Sequence, residues 1–231
     1  MKLRYRTGWV RCCPVAVIVL SSHGAWGQES TTDALDEIVV SATRIESSVR
    51  DVARSISVVD KERIQVGTQQ LGLDESLAGV PGLYMQNRYN FAQDLRISLR
   101  GFGARSSFGI RGIKVIVDGI PETLPDGQAG VDSIDIGSAR SIEVLRGPSS
   151  SLYGNASGGV IAITSELGAT DPYVEGRIAG GEYGYRQVQF KSAGRWGMSD
   201  YLVNLSRTEL DGYRDHSNAV SYTHLRAHET L

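Results

Sequence analysis

The segment VLRGPSSSLYGNASGGVIAITS runs from Val144 to Ser165 and joins two short apolar runs through a loop of Gly, Pro, Ser and Asn. Apolar runs on both sides of such a loop predict a strand, a loop and a second strand. A nucleotide site is the first function to test, because Gly-rich loops between apolar runs often hold phosphates. The Gly-Lys-Ser/Thr sequence of a P-loop is absent, and no Gly-x-Gly-x-x-Gly motif opens a helix. The loop therefore serves another purpose.

Residues 1–27 have the pattern of a signal peptide. Four basic residues precede an apolar run that is too short to span a bilayer, and Ala25 and Gly27 are the small residues that signal peptidase recognises. We predict cleavage after Gly27, although a buried N-terminal helix would also contain an apolar run. Cleavage lowers the basic count from 24 to 20 against 26 acidic residues, which argues against nucleic-acid binding. It also removes Cys12 and Cys13, so the exported chain holds no disulfide.

Residues 28–44 are polar and predict a flexible leader that contains one β-prone run. The run is DEIVVSA, residues 36–42, and consists of Asp36, Glu37, Ile38, Val39, Val40, Ser41 and Ala42. A short β-prone segment in a flexible leader has unpaired backbone groups and can add as a strand to the edge of a partner's sheet. The alternative is an ordinary first strand of the next domain, and the residues of the run alone do not separate these two interpretations.

Residues 45–165 predict a small mixed α+β domain of about four strands and two short helices. SISVVDKERIQ is typical of a strand that leads into a helix, and LGLDESLAGVPGL of a helical segment that ends at Pro81-Gly82. LRISLRGFG, Leu95 to Gly103, alternates apolar and polar residues as a half-buried strand does. IKVIVDGIP, Ile113 to Pro121, predicts a strand closed by an Asp118-Gly119 turn, and SIEVLRGPSS predicts the next strand.

Residues 172–220 alternate between apolar and polar side chains. The segments YVEGRIAGG, RQVQFKS and YLVNLSRT each do so, with GMSD as a turn and LDGYRDHSN as a longer loop. Such alternation fits strands of a transmembrane β-barrel, but a soluble β-sandwich would give a similar pattern. From Ser221 onward the segment SYTHLRAHETL loses the alternation and looks like translated sequencing-adapter sequence. We therefore predict that residues 221–231 are foreign.

Four segments, in this order and spacing, resemble the TonB-dependent outer-membrane receptors. DEIVVSATR resembles their TonB box, and ISLRGFG, IKVIVDGIP and IEVLRGPSSSLYGNASGGVIAITS resemble their plug domain. The resemblance covers Asp36 to about Ser165, and FGIRGIKVIVDGIPETLPDGQ is similar to the ferric-citrate type of receptor. It implies an α+β plug domain at 45–165, followed at 172–220 by the first strands of an antiparallel transmembrane β-barrel. The chain would be an exported, C-terminally truncated receptor of the Gram-negative outer membrane.

The resemblance implies transport and not catalysis. A scarce ligand, foremost a ferric siderophore or ferric citrate, would bind above the plug; haem, cobalamin and oligosaccharides are the other candidates. TonB with its inner-membrane energising complex would pull on the TonB box, and the barrel would contact outer-membrane lipid. No resident cofactor or metal is predicted. The rival classes are a soluble periplasmic or secreted binding module and a secreted enzyme, and the absence of a nucleophile-base pair argues against the enzyme.

The resemblance also suggests roles for individual plug residues. Arg100 and Arg146 would face carboxylates of the barrel wall; as solvated charges they would contribute less than about 1 kcal/mol. Close approach of the loop to the wall favours small residues in the opening segment. Four glycines share this setting: Gly147, Gly154, Gly158 and Gly159. Two loops carry chemistry suited to a ligand, one with Arg88 and Tyr89 and one with Gln128, unless both are solvated turns.

Overall fold

The computed structural model describes residues 39–40, 47–48, 54–86, 88–166 and 171–230, with only the backbone described at 39–40, 47–48 and 225–230. The described residues belong to one compact unit. The predicted signal peptide lies outside them, as do Asp36, Glu37, Ile38, Ser41 and Ala42 of the predicted TonB box. Among the described residues, no helix combines the length and the apolar character needed to cross a membrane.

Short elements precede residue 166 and long strands follow it in the described residues. The first strands are β1 (Val39–Val40), β2 (Ser47–Ser48), β3 (Ser55–Asp60), β4 (Leu83–Gln86), β5 (Arg96–Leu99), β6 (Ile110–Arg111), β7 (Ile113–Val117), β8 (Ile120–Pro121), β9 (Gln128–Ala129), β10 (Ala139–Arg146) and β11 (Gly159–Ser165). The helices are α1 (Lys61–Gln65), α2 (Leu73–Leu77) and α3 (Ser150–Tyr153), with one 3-10 turn at Ile136–Ser138. The later strands are β12 (Tyr173–Gly180), β13 (Arg186–Trp196), β14 (Ser199–Leu210) and β15 (Ala219–Thr230).

The centre of the fold is a mixed sheet of five strands in the order β3-β10-β11-β7-β8, which we call the central sheet. Strand β10 is antiparallel to both of its neighbours, whereas β11 runs parallel to β7. Asp118 and Gly119 have φ angles of 48° and 80°, and this left-handed pair closes the predicted hairpin between β7 and β8. The predicted α+β class is confirmed. One of the predicted strands, Leu95–Gly103, lies outside the central sheet, because β5 pairs with β4.

Local sequence explains where the two predicted helices begin and end. The side chain of Asp60 accepts a hydrogen bond from the backbone N–H of Arg63 at 3.1 Å and caps α1. Helix α2 ends before Pro81-Gly82, as predicted, because proline restricts the residue before it and Gly82 takes a φ of 77°. The opening loop holds one turn of helix, α3, which the sequence pattern did not indicate.

The predicted strand over Leu95–Gly103 is shorter in the structure, and its alternation is incomplete. Strand β5 ends at Leu99, because Arg100 takes a φ of 51° and the chain folds back so that Leu99 and Phe102 exchange backbone hydrogen bonds. Ile97, Ser98 and Leu99 are all buried. Neighbouring elements cover both faces of this strand, so a period of two does not describe its burial.

Apolar side chains fill both faces of the central sheet. One face carries the main core, in which Ile142 and Ile161 pack with Ile64 of α1 and Leu77 of α2. The other face carries a smaller cluster of Ile116, Leu145, Ala156 and Val160 beneath the opening loop. The apolar runs on each side of this loop are therefore strands that are buried on both faces, as is usual where parallel strands lie at the centre of a sheet.

Strands β12 to β15 form a separate antiparallel sheet in chain order, which we call the four-stranded sheet. The predicted GMSD turn joins β13 to β14, and the predicted longer loop lies between β14 and β15. Strand β15 extends the sheet through residues that the sequence assigns to a foreign tail. A backbone ladder requires no particular side chains, so the prediction of a foreign segment at 221–231 stays a prediction.

Candidate functional site

The four-stranded sheet buries its polar face and exposes its apolar face. Within β13, Gln187, Gln189 and Lys191 are almost fully buried, and Lys191 is only 2% exposed. Val174 and Ile178 of β12 point away from the protein and are 69% and 85% exposed. A sheet of a soluble protein buries its apolar side chains and exposes its polar ones, because burying apolar area is favourable and burying an unpaired charge is costly. The buried polar face must therefore meet polar partners.

Five residues, which we call the anchor cluster, form one contact between this polar face and the mixed domain. They are Lys61, Gln65, Glu166, Tyr173 and Lys191. Glu166 Oε1 accepts from Lys191 Nζ at 2.8 Å and from Gln65 Nε2 at 2.7 Å. Glu166 Oε2 accepts from Lys61 Nζ at 2.9 Å and from the Tyr173 hydroxyl at 2.7 Å. Lys191 Nζ also donates to Gln65 Oε1 at 3.0 Å. The cluster thus joins α1, the end of the central sheet, β12 and β13.

The hydrogen bonds of the anchor cluster decide the ionisation of Glu166. Burial raises the pKa of Glu166, but the hydrogen bonds from Lys191, Gln65, Lys61 and Tyr173 outweigh burial and lower the pKa to about 2. Glu166 is therefore a carboxylate throughout the neutral range. A buried ion pair whose members are all hydrogen-bonded avoids the large cost of an isolated buried charge.

We expect Glu166 to make folding stability depend on pH below its ordinary pKa of 4.5. The lowered folded-state pKa contributes on the order of 3 kcal/mol above pH 4.5, and this contribution is lost as the pH falls from about 4.5 to about 2. The measurement is the free energy of unfolding against pH in detergent, for the natural chain and Glu166→Gln. The difference in unfolding free energy between the natural chain and Glu166→Gln should shrink as the pH falls from about 4.5 to about 2. The exposed Glu182→Gln is the control, and a difference that did not change with pH would contradict the assignment.

Two further side chains of the four-stranded sheet hold the backbone that follows α1. Arg177 donates to the carbonyl oxygens of Gln65 and Thr68, the first at 3.0 Å. The Tyr185 hydroxyl donates to the carbonyl oxygen of Gln69 at 2.7 Å. The carbonyl of Gln65 ends α1 and lacks a partner within the helix, and those of Thr68 and Gln69 lie in the segment after it, so these donors supply partners for all three. Helix α1 and the residues after it are thereby fastened to the four-stranded sheet.

A third contact joins the 3-10 turn to β13 and β14. Asn204 Nδ2 donates to Asp135 Oδ2 at 2.7 Å, while Asn204 Oδ1 accepts from Gln189 Nε2 at 2.9 Å. Gly137 lies so close to these amides that a Cβ there would overlap Gln189 Nε2. No sequence motif marks Asp135, Gly137 or Asn204 as contact residues. Polar residues at alternate positions of β13 were a signal that one face of the strand was polar, but they did not indicate its partners.

Arg100 and Arg146 have no carboxylate partner among the described ion pairs. Arg146 Nη1 donates to the carbonyl oxygen of Pro81 at 3.3 Å, and its Nε is buried without a hydrogen-bond partner among the described atoms. Arg100 is exposed. Their predicted contact with a barrel wall stays a prediction.

The glycines of the opening loop approach other parts of the same loop and the central sheet. A Cβ at Gly159 would overlap the carbonyl oxygen of Leu145, and a Cβ at Gly158 would overlap Phe102. Gly147 has a φ of 110°, and Gly154 ends α3 with a φ of 70°. In the described residues these close approaches are made within the segment 45–165. Their predicted approach to a barrel wall stays a prediction.

A cavity of about 610 Å³ lies between the loops of the mixed domain and the polar face of β13 to β15. Its lining includes Arg88 and Tyr89, and it continues to the 3-10 turn and the loop before β15. Gln128 does not line it; this residue lies in β9 and pairs with Arg111 of β6. The structure therefore brings one of the two predicted ligand loops to the cavity.

Arg88 is already paired within this cavity. Its Nε donates to Asp74 Oδ2 at 2.7 Å, and this hydrogen bond raises the pKa of Arg88. The guanidinium lies 5.8 Å from the ring centre of Tyr89, which takes a φ of 57°. Burial, followed by a hydrogen bond with Asp94, raises the pKa of Asp132 in the same lining. The cavity combines amides, hydroxyls and aromatic rings with charges of both signs.

The described part of the predicted TonB box is a two-residue strand. Backbone pairing joins Val39 to Ser48 and Val40 to Ser47 in an antiparallel arrangement, and the pair forms a sheet of its own. The run is thus extended, and its partner within the described residues is another two-residue strand. Short pairing of this kind leaves the run separate from the central sheet.

The chain resembles known transporters and receptors in sequence. The model of the TonB-dependent receptor plug domain matches residues 48–160. The chain is 29% identical over 204 residues to the vitamin B12 transporter BtuB of Photobacterium profundum, which covers 86% of the chain and 32% of the transporter. It is 29% identical over 185 residues to the rhizobactin receptor of Rhizobium meliloti, which covers 75% of the chain and 23% of the receptor.

The pyoverdine outer membrane receptor FpvA of Pseudomonas aeruginosa, solved with pyoverdine bound, shares the fold. The TM-score is 0.67 at 19% identity, over 83% of this chain and 27% of that receptor. The chain spans about a third or less of the length of each of these proteins. The matched segment contains strands β3, β7, β8 and β10 of the central sheet, the loop after β10 and the first two residues of β11. This chain therefore carries the plug domain of the TonB-dependent receptors.

Proposed function

We propose that the chain is part of a transporter that moves a scarce small ligand across the outer membrane, driven by TonB. The observation that carries this proposal is the reversed polarity of the four-stranded sheet. Its polar face packs on the plug domain, and its apolar face is exposed. A wall between a polar lumen and lipid requires this arrangement.

Strand dimensions and side chains at the strand ends agree with a membrane wall. Strands β12 to β15 contain 8 to 12 residues, close to the roughly 9 to 11 that a tilted strand needs to cross a bilayer. Trp196 and Met198 flank the β13–β14 turn and are strongly exposed, and Tyr183 and Tyr213 meet edge to face at the opposite end. Aromatic residues prefer the two membrane interfaces. A soluble binding module has no comparable use for an exposed apolar face.

The proposed transport cycle uses three parts of the chain. A ligand enters the cavity between the plug loops and the polar wall. TonB adds its own strand to the backbone of Val39 and Val40 and, with the inner-membrane energising complex, transmits force to the plug. The plug then rearranges so that the ligand passes.

An iron chelate is the ligand class that we propose first. The comparison proteins are named for vitamin B12, rhizobactin and pyoverdine, so the family by itself leaves haem, cobalamin and oligosaccharides as other candidates. Arg88 is the feature of the cavity that would favour an anionic chelate such as ferric citrate. Its ion pair with Asp74 offsets part of this preference, because the guanidinium is already engaged.

Removing the Arg88 side chain is expected to weaken the binding of an anionic chelate, and neutralising its partner Asp74 is expected to strengthen that binding. In the complete receptor, Arg88→Ala should raise the Kd for ferric citrate by a factor that corresponds to about 1 to 3 kcal/mol, the range for a lost charged hydrogen bond. Asp74→Asn should lower the Kd, because it releases the guanidinium. Binding to isolated outer membranes measures both. Arg140→Ala, an exposed arginine outside the cavity, is the control.

Two results would contradict this assignment of the ligand site. Equal affinities in the natural receptor, Arg88→Ala and Asp74→Asn would remove the plug loop from the binding site. A stronger binding of ferric citrate in Arg88→Ala would reverse the sign of the proposed interaction. Immunoblotting of outer-membrane fractions confirms that each variant is present in equal amount.

The transport proposal itself has a direct test. The complete receptor should fractionate with the outer membrane, and uptake of a labelled ferric siderophore should require both the receptor and the proton gradient. Uptake that persists after the gradient is collapsed would argue against TonB coupling. Recovery of the complete protein in the soluble periplasmic fraction would favour the binding-module alternative.

A further inference from the structure

The anchor cluster lies where the N-terminal part of the plug meets the rest of the receptor. Lys61 and Gln65 belong to α1, which follows β3 without a linker. Strand β3 is the edge strand of the central sheet, and β10 is its neighbour. The predicted TonB box lies N-terminal to β3. A force applied at the box therefore reaches β3 first and α1 next.

The two elements are held in different ways. Strand β3 is joined to β10 along one edge by a ladder of six residue pairs. Helix α1 and its C-terminal residues are held by the anchor cluster and by Arg177 and Tyr185, which bind backbone carbonyl oxygens. Glu166 and Lys191 lie deep in this contact, at 7% and 2% exposure. Withdrawing α1 would break the Lys61–Glu166 ion pair and both hydrogen bonds of Gln65 to the cluster, and would leave the buried Glu166 and Lys191 with fewer partners, which is unfavourable.

We propose that the anchor cluster is the point at which movement of the plug stops during transport. The segment N-terminal to Lys61, including β3, leaves its place when the TonB box is pulled. Helix α1 and the elements that follow it stay on the four-stranded sheet. Lys191 and Glu166 are then positioning residues, because they act by holding α1 and not by touching the ligand. This inference rests on the proposed TonB-driven transport.

The test compares the exposure of one buried residue on each side of the anchor. Val59 of β3 is 1% exposed and Ser76 of α2 is 2% exposed. The complete receptor carries either Val59→Cys or Ser76→Cys; the natural Cys12 and Cys13 leave with the predicted signal peptide. A maleimide in the periplasm reports exposure during energised uptake. Labelling should rise several-fold at position 59 and stay unchanged at position 76.

Weakening the anchor should move the boundary. The double variant Glu166→Gln/Lys191→Met removes both charges of the buried pair together, so neither is left unpaired by the other. In this background, labelling at position 76 should rise several-fold during uptake. Tyr173→Phe, which removes one hydrogen bond to Glu166 and no charge, should give a smaller rise in the same direction. Arg207→Met breaks an exposed ion pair within the four-stranded sheet and is the matched control, with labelling like the natural receptor.

Three outcomes would overturn the inference. They are equal labelling at positions 59 and 76 in the natural receptor, labelling at neither position while uptake depends on energy, and unchanged labelling at position 76 in both anchor variants. Loss of energy dependence in the natural receptor is a different result, since it refutes the proposed function. Tyr173→Phe keeps the test decisive if the double variant does not reach the outer membrane.

Discussion

Val39→Pro in the complete receptor is expected to abolish energy-dependent uptake and to leave ligand binding unchanged. In the structure, the backbone of Val39 is extended and pairs with Ser48. Strand addition to TonB uses the same kind of backbone hydrogen bond, and proline both removes the N–H donor and fixes φ. Binding should persist because Val39 and Val40, the described part of this run, do not line the ligand cavity. Uptake of a labelled chelate and its binding to outer-membrane preparations measure the two effects separately.

Ser48→Pro is the matched control for this substitution. It disturbs the same two-stranded pairing from the other strand and leaves the predicted TonB box intact. Uptake should therefore continue in Ser48→Pro and stop in Val39→Pro. If both variants stopped uptake, the internal pairing of β1 and β2 would be the required feature. If Val39→Pro still transported the ligand, the assignment of the TonB box would be wrong.

Gly159→Ala is expected to prevent stable folding of the plug domain. Gly159 begins β11 with a φ of 144°, which side-chain-bearing residues rarely adopt, and a Cβ there would overlap the Leu145 carbonyl oxygen and contact Leu99. Strain of this kind costs about 1 to 3 kcal/mol before the overlap with backbone is added. Since β11 pairs with both β10 and β7, relief by movement would disrupt two ladders. We expect little or no receptor in the outer membrane.

Gly154→Ala is the control for Gly159→Ala, because it introduces backbone strain without a steric overlap. Gly154 has a φ of 70°, but nothing lies within 4 Å of a Cβ built there. Because its ψ of −112° lies outside the left-handed helical region, the expected cost is the roughly 1 to 3 kcal/mol of backbone strain, without any overlap. Immunoblots of outer-membrane fractions and thermal unfolding in detergent should show a folded Gly154→Ala receptor. A Gly159→Ala receptor of equal amount and stability would contradict the role of the close backbone approach.

Much of the plug could be predicted because its local signals agree with its fold. The apolar runs around the opening loop form β10 and β11, the Asp118-Gly119 turn closes β7 on β8, and Pro81-Gly82 follows the end of α2. In each case neighbouring residues settle the conformation, so distant contacts have little to add. The strand over Leu95–Gly103 was predicted too long, because the alternation of its side chains continues past Leu99, whereas the chain folds back at Arg100 and Gly101, both of which have positive φ angles.

The candidate site could be predicted only in part. Arg88 and Tyr89 reach the cavity, but the ion pair of Arg88 with Asp74 joins α2 to the loop after β4, 14 positions apart, and no local pattern predicts that contact. Gln128 was grouped with them by its turn chemistry, yet β9 keeps it at a different edge of the fold. Residue type suggests what a side chain can bind, whereas chain topology decides which side chains share a cavity.

The sequence by itself determined that β12, β13 and β14 each have one apolar and one polar face, because side chains alternate along a strand. It could not determine which face the protein buries, since that depends on what packs against the sheet. The tertiary structure decided that Lys191 points inward, where it meets Glu166 from 25 positions earlier in the chain and Gln65 from 126 positions earlier. A buried charge is stable only with such partners, and partners so distant in sequence come together only when the plug and the strands pack.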